Sequence, residues 1–484
     1  MMLQLSALDS FMLHMQRPHT PLNGGVILVY DRSGAPEGKF GYREVLDHFR
    51  QRLPLVDALR MTLVGVPGSL DRPYWVEDAE IDLEYHIRNV TLPPPGDWRG
   101  FCRQISLAIE RPLDTSRPPW EIEVVDGLGA VDRFTDNSFA LILKVHHAAL
   151  DGKAYLAIMQ TLHSLQRDAP TPVSDGDERV APAPSASDML LRAALHAARM
   201  PVAAVQALAG AGPAIGRAAV PQLVRRLRPQ RNGQKNATPS TRFNGPVSPH
   251  RNYGACFFDL DDTEPIRAAV DGATVGDIAV SVLGGALRNY LDGIGELPPT
   301  AMKAFVLVAI PPDGRQDLGN HLSGMITSLY SDIDDPLHRL AAVRASTRGA
   351  KQPSASSGRV RVTGLLDIVP EIMVAPIFRV VTLASTRSSN GLAGMFNTAV
   401  TGMAGPAEPL YLGPVRLTHL LGLGPVLDGL GLINIHASYD GAFTIFFVGC
   451  RHMMPDPERY EECIYAEFEQ LHHAALAQRK SASR

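Results

Sequence analysis

His146 and His147, followed by Asp151 and Gly152, combine residue types and a spacing suited to acid–base chemistry. A neutral imidazole titrates near physiological pH and can take a proton from a hydroxyl and give it back. No Ser or Cys lies between Leu141 and Gly152, which points to direct transfer assisted by a base rather than to a covalent enzyme intermediate. Asp151 places a carboxylate at the entrance of a helical pattern that resumes at Ala154–Met159, where the helix dipole favours it. Gly152 lets the chain turn there without a Cβ clash. Two further readings exist: a buried pair satisfied by hydrogen bonds with Asp151 as a helix cap, and a His, His, Asp metal site.

The elements around the pair decide what it can do. Phe139 to Val145 is an apolar run of strand length. Side chains alternate along a strand, so Leu141, Leu143, Val145 and His147 should look one way and Ile142, Lys144 and His146 the other. The adjacent histidines therefore cannot share one task; one is a reagent and the other a support. Opposed faces also weaken the metal reading. An internal control stands near the C-terminus, where His472-His473-Ala474-Ala475-Leu476 repeats the string His146–Leu150. That copy lies in a helical pattern (Tyr460, Ile464, Phe468, Leu471, Ala475) and is followed by Ala477-Gln478, so it reads as a surface helix end.

Bulk composition narrows the class. A chain of 484 residues, 45% hydrophobic and 20% charged, is ordinary for a soluble globular protein of two or three domains. A net charge of -4 argues against a nucleic-acid binder. Cys102, Cys256, Cys450 and Cys463 are scattered without a C-x-x-C pair, which fits a reducing cytoplasm and neither a zinc site nor a disulfide framework. Met1–Gln16 has no Lys or Arg before its apolar part, so no secretory signal is evident. Pro and Gly interrupt the apolar stretches near Val374 and Leu421 before they reach a spanning length.

Along the chain, Leu5–Phe11 reads as a short segment of turn or cap character. Gly25–Tyr30 reads as a buried strand, Tyr42–Leu53 as a helix, Trp75–Val90 as strand, and the region of Phe101, Ile105 and Ile109 as a helix. Trp120–Val125 is a strand that Asp126-Gly127 turns toward the one ending at the histidines. From Ala169 the composition becomes Pro- and Ala-rich. Met189–Arg231 is then rich in Ala, Leu and Arg without any Asp or Glu, with Leu190, Leu191, Ala194, Leu195, Ala198 and Val202 on one helical face. Arg225, Arg226, Arg228, Arg231 and Lys235 add a basic cluster. This stretch is either a connector packed on the body or an amphipathic surface for anionic lipid. Tyr253–Leu260 reads as a strand, Ile278–Arg288 as a helix capped by Thr274 with Asp277, and Phe305–Ile310 as a strand. Leu432–Tyr439 and Ala442–Val448 form a hairpin at Asp440-Gly441. Strands and helices without strict alternation predict an α/β fold with mixed sheets.

The His-His-x-x-x-Asp-Gly stretch resembles the acyl-CoA-dependent acyltransferase superfamily, whose fold is that of chloramphenicol acetyltransferase and peptide-synthetase condensation domains. The resemblance makes His147 the general base, His146 its support and Asp151 mainly structural. Flanking segments are similar to bacterial wax ester synthase/diacylglycerol acyltransferase proteins. Leu5, Ser6, Leu8 and Asp9 match that family's Leu-Ser-x-Leu-Asp opening. Its Pro-Leu-Trp element reads Pro118-Pro119-Trp120 here, with Trp120 taken as a core anchor. Asn244, Gly245 and Ser248 match Asn-Gly-x-x-Ser; the usual Asn-Asp reads Gly276-Asp277, which leaves Asp277 as a structural cap. Arg315, Gly319 and Asn320 match the Arg and Gly-Asn loop, Thr401 with Gly405-Pro406 is what remains of Ser-Asn-Val-Pro-Gly-Pro, and Ser438-Tyr439 matches Ser-Tyr.

The resemblance implies two chloramphenicol acetyltransferase-like halves, residues 1–168 and 241–484, joined by a helical connector at 169–240. It implies transfer of a fatty acyl group from acyl-CoA to diacylglycerol or a long-chain alcohol, with acyl-CoA as co-substrate and no bound cofactor or metal. Asn244, Asp277, Arg315, Asn320 and Thr401 become candidate substrate contacts. The expected location is cytoplasmic, on the inner membrane or lipid inclusions at most peripherally. Tyr155 stands where many relatives carry Gly and would reshape an acceptor pocket. Two rivals remain: an amide-forming or polyketide-type condensing enzyme using the same histidine, and a non-catalytic lipid-surface protein that kept the fold.

Overall fold

A computed structural model describes residues 2–149, 152–167, 169–170, 184–210, 238–308, 323–351, 371, 373–374 and 394–482. The first part of the chain runs β1 (Met2–Gln4), α1 (Ala7–Met15), β2 (Asn23–Asp31), α2 (Tyr42–Arg52), β3 (Met61–Val64), β4 (Tyr74–Glu77), α3 (Leu83–His86), β5 (Ile87–Thr91), α4 (Trp98–Glu110), β6 (Trp120–Asp126), β7 (Ser138–His146), α5 (Gly152–Leu162) and α6 (Ala186–Gly210). The remainder runs β8 (Arg251–Asp259), α7 (Thr263–Ala269), α8 (Val275–Asp292), β9 (Lys303–Val308), β10 (Ser323–Ser328), α9 (Pro336–Lys351), β11 (Thr398–Ala404), β12 (Tyr411–Leu412), β13 (Val415–Leu423), β14 (Leu432–Tyr439), β15 (Ala442–Cys450) and α10 (Pro457–Ala482).

These strands make two six-stranded mixed sheets, ordered β12-β13-β2-β7-β6-β5 and β10-β9-β11-β14-β15-β8, and a small sheet β1-β4-β3. The α/β reading with mixed sheets holds. The two halves are not closed units, however: β13 leaves the second half and pairs antiparallel with β2, Leu421 opposite Ile27. A division at residue 241 therefore separates the chain, not the sheets. Apolar alternation identifies a strand, but only tertiary packing chooses its sheet.

Strand β7 lies between β2 and β6, antiparallel to both, and is buried along its length. Its Phe139, Leu141, Leu143 and Val145 enter one hydrophobic core with Trp120 and Phe49, whereas Ala140 and Ile142 enter the other core with Phe101 and Ile105. The expected alternation is thus present. Two local expectations differ. Of the turn or cap character read at Leu5–Phe11 the cap holds and the turn gives way to a helix: Ser6 is the N-cap of α1, accepting from the Asp9 N–H, and Leu8 and Met12 find a core to enter. Trp75–Val90 is not one strand: Asp82 accepts from the Glu84 and Tyr85 N–H groups and starts the helical turn α3 between β4 and β5.

Candidate active site

Strand β7 ends at His146, so His147 sits not on the strand but in the turn that follows it. The His146 N–H donates to the Pro119 carbonyl and the His147 N–H to the Leu22 carbonyl, both near 2.9 Å, at 2.9 and 2.8 Å. The Ala149 N–H then returns to the His146 carbonyl at 2.8 Å, closing the turn. Pro119 stands where it needs only to accept, which explains why a proline is tolerated there. Trp120 anchors the start of β6: it is buried, stacks on His86 at 4.3 Å and donates its indole N–H to the Leu59 carbonyl.

The two imidazoles differ in kind. His146 is 0% exposed. Its Nδ1 accepts from the Ala148 N–H at 3.2 Å and its Nε2 meets Gln16 Oε1 at 2.8 Å. A backbone N–H can only donate, so Nδ1 carries no proton and Nε2 is the protonated nitrogen. Burial first, and the neighbouring His147 second, push the His146 pKa down to about 4. A neutral ring with both nitrogens engaged is a structural element of the turn.

His147 is partly accessible, although its Nδ1 is buried. Burial lowers its pKa below the usual 6.5, opposed by its own backbone and by the Asp9 carboxylate. Such a ring is neutral at pH 7 and able to accept a proton. Helix α1 brings Asp9 to it. Leu8 and Met12 of α1 pack with Leu22 and Ala148, the residues flanking the histidine turn.

Charged residues brace the floor beneath. Buried Lys144 reaches Glu121 Oε2 and the Arg111 carbonyl, each at 3.1 Å. Asn23, opposite His146 across the β2–β7 ladder, donates to the carbonyls of Ile109 and Arg111 at 3.0 and 2.7 Å. The end of α4 is thereby tied to the end of β7. Tyr155 packs on the core beneath α5 and burial pushes its pKa up to about 12.

Among the described residues, the remaining candidates Asn244, Asp277 and Thr401 serve separate elements. Asp151, Arg315 and Asn320 lie outside the described residues, as does the basic cluster at 225–235. Asn244 is a loop organiser: its amide donates to the carbonyls of Phe396 and Gly429, and its oxygen accepts from Thr241 and Asn397. Asp277 completes the capping box of α8 with Thr274 and accepts from the Thr347 hydroxyl at 2.7 Å. Thr401 lies on β11 opposite Ile435. Its neighbour Gly402 faces His436, as does Gly276 at the start of α8, so Thr401 projects from the other side of the sheet from Asp277. A Cβ at Gly276 would stand 3.6 Å from His436 Nε2. The departure from the usual Asn therefore places a glycine in van der Waals reach of the His436 ring. Among the residues flanking the histidines, composition and periodicity gave no signal for Gln16, whereas Asp9 was visible through the Leu-Ser-x-Leu-Asp match.

The wax ester synthase/diacylglycerol acyltransferase catalytic domain matches residues 5–279, and the C-terminal domain of the same family matches residues 318–472. A Mycobacterium tuberculosis protein named for diacylglycerol O-acyltransferase activity is 30% identical, over 94% of this chain and 87% of its own. A Mycobacterium bovis protein so named is 29% identical over 98% and 99%. The wax ester synthase/diacylglycerol acyltransferase of Marinobacter aquaeolei superposes with a TM-score of 0.67 at 24% identity, covering 98% of this chain and 99% of its own. The starter condensation domain of rhizomide synthetase, solved in complex with C8-CoA, has the same fold at a TM-score of 0.53 and 14% identity, covering 98% and 95%. With the catalytic-domain match alone spanning more than half of the chain and reaching from the start of α1 through the histidine turn into α8, the chain belongs to the wax ester synthase/diacylglycerol acyltransferase family.

Proposed function

We propose that this protein transfers a fatty acyl group from acyl-CoA to the hydroxyl of diacylglycerol or a long-chain alcohol, with His147 as the general base. The observation that carries the reading is the asymmetry of the pair: His146 is sealed and fully hydrogen-bonded, and His147 is the accessible, neutral imidazole beside it. The acceptor oxygen attacks the thioester carbonyl while the His147 imidazole takes its proton. Collapse of the tetrahedral adduct breaks the C–S bond, and the imidazolium returns the proton to the CoA thiolate. No other co-reactant is needed. That a neighbour of the same fold holds C8-CoA supports a CoA thioester as donor. Thiol release from a long-chain acyl-CoA, measured with diacylglycerol, a fatty alcohol and a fatty amine, tests it. Release with either alcohol that His147→Ala abolishes is expected. Release with the amine alone moves the chain to the amide-forming rival, and unaltered turnover by His147→Ala removes the base.

Acceptors this apolar reside in lipid, and α6 offers a surface for it. Met189 and Ala193 pack on Val66, Tyr74 and Val76. Leu190, Leu191 and Leu195 are 40%, 62% and 51% exposed, so much of the apolar face looks outward. Arg192 lies among them, and residues 189–231 contain no Asp or Glu. Apolar and basic residues on one helix suit the surface of an anionic lipid layer. No described helix is long and apolar enough to cross a membrane. Flotation with anionic vesicles should carry the wild type and leave Leu191→Asp/Leu195→Asp behind. Equal flotation of both would remove this face from the proposal.

A further inference from the structure

We propose that Gln16 is a positioning residue for acyl transfer: by holding the His146 ring in one tautomer it fixes the turn that carries His147. The inference rests on the reading of His147 as the base. Gln16 is the C-cap of α1, and its own N–H donates to the Leu13 carbonyl. It is therefore set on a helix end, not on a free loop. The other end of that helix is held by Ser6 and Asp9, and its flank by Glu371, which accepts from Ser10 and meets His14, both at 2.5 Å. From this support the Gln16 side chain reaches His146 Nε2.

Each step along the relay depends on the previous one. The Ala148 N–H needs a lone pair on His146 Nδ1. Nδ1 has that lone pair only when the neutral ring is protonated at Nε2. Gln16 Oε1 selects that form by accepting the Nε2 proton. Without the acceptor, the ring can move its proton to Nδ1 or rotate, and the Ala148 N–H is then left in a buried site without a partner, which is costly. The turn joining His146 and Ala149 would loosen at the residue between them, His147. A displacement of about 1 Å at a reacting group can cost about 100-fold in rate. The same logic explains why His146 must stay neutral: a second ring proton on Nδ1 would displace the Ala148 N–H.

Three measurements on the full chain test it. Nitrogen-15 spectra of the histidine rings in the wild type should show His146 as the Nε2–H tautomer across neutral pH; the Nδ1–H form would overturn the proposal without any variant. Gln16→Leu should lower kcat by about 10-fold or more while the KM for acyl-CoA stays within about twofold, since the relay acts on geometry at the base. Gln16→Glu keeps the acceptor but sets a carboxylate on the ring, which favours the imidazolium. Its activity should approach the wild type at high pH and fall away at a higher pH than the wild type does. A wild-type kcat for Gln16→Leu, or a pH profile for Gln16→Glu that overlays the wild type, would overturn the proposal. His147→Ala measured alongside separates the two claims. If it is active, the base assignment fails; if it is inactive while Gln16→Leu is unaffected, only the relay fails.

Discussion

The chain contains the string His-His-Ala-Ala-Leu twice, and the two copies have opposite fates. At 146–150 it follows a fully buried central strand, and one ring is sealed while its neighbour remains accessible. At 472–476 it lies within α10, where Leu471 and Ala475 face the core, His472 is half-buried and His473 is exposed. The rings of His472 and His473 there lie 6.3 Å apart and near parallel. Identical residues thus acquire different chemistry from the element that precedes them. A strand end separates adjacent side chains into opposite environments, whereas a helix surface gives neighbours similar ones.

The largest effect that could break this comparison is His147→Ala. Loss of a general base should lower kcat by ~10²–10⁴-fold, read as thiol release under saturating acyl-CoA. His146→Ala should come next and act on both stability and rate. It removes the acceptor of the Ala148 N–H and the donor to Gln16, at a cost of about 1–3 kcal/mol for buried groups left unpaired. Denaturant midpoints would register it. A His146→Ala variant as stable as the wild type would mean that the sealed ring holds nothing.

Acid sharpens the same contrast. His146, His147, His163 and His436 all hold pKa values below the ordinary 6.5, three of them at about 4, because burial disfavours the charged ring. The unfolded chain then binds more protons than the folded one between pH 6.5 and about 4. The stability that these rings contribute is therefore complete above pH 6.5 and falls as the pH drops through that window. Urea midpoints at pH 7.5, 6 and 5 should decline in that order, and a flat series would contradict the burial of these rings.

Much of this was legible in the sequence because it depends on local pattern. The run before His146 gave β7, the Asp440-Gly441 turn gave the β14–β15 hairpin, and Thr274 with Asp277 gave the cap of α8. What escaped depends on partners distant in the chain. Strand β13 was invisible as a member of the first sheet because its pattern names a strand but not a neighbour. Helix α1 is nine residues long, too short for periodicity to declare it, and Gln16 matters only through a ring 130 residues away. The two readings of α6 stayed open for the same reason: periodicity finds an apolar stripe, and only the small β1-β4-β3 sheet decides that Met189 and Ala193 are residues covered.

Asp277 offers a smaller, discriminating effect. Its carboxylate receives the Thr274 N–H and the Thr347 hydroxyl and caps α8. Asp277→Ala should cost about 0.5–2 kcal/mol of stability, the usual loss for a helix cap, and leave kcat within about twofold. A large fall in kcat with unchanged stability would instead return Asp277 to the substrate contacts.

The smallest expected effect is the one that gives the comparison its force. His472→Ala removes a half-buried ring stacked on Phe468 at 6.4 Å from the middle of a helix. Alanine is the better helix former by about 0.5 kcal/mol, which offsets the lost contact, so stability should stay within about 0.5 kcal/mol of the wild type. Turnover should be unchanged under the conditions in which His147→Ala is silent. Any appreciable fall in thiol release from His472→Ala would mean that the C-terminal copy takes part in the chemistry. The strand end at 146 would then no longer distinguish a reagent from a surface residue.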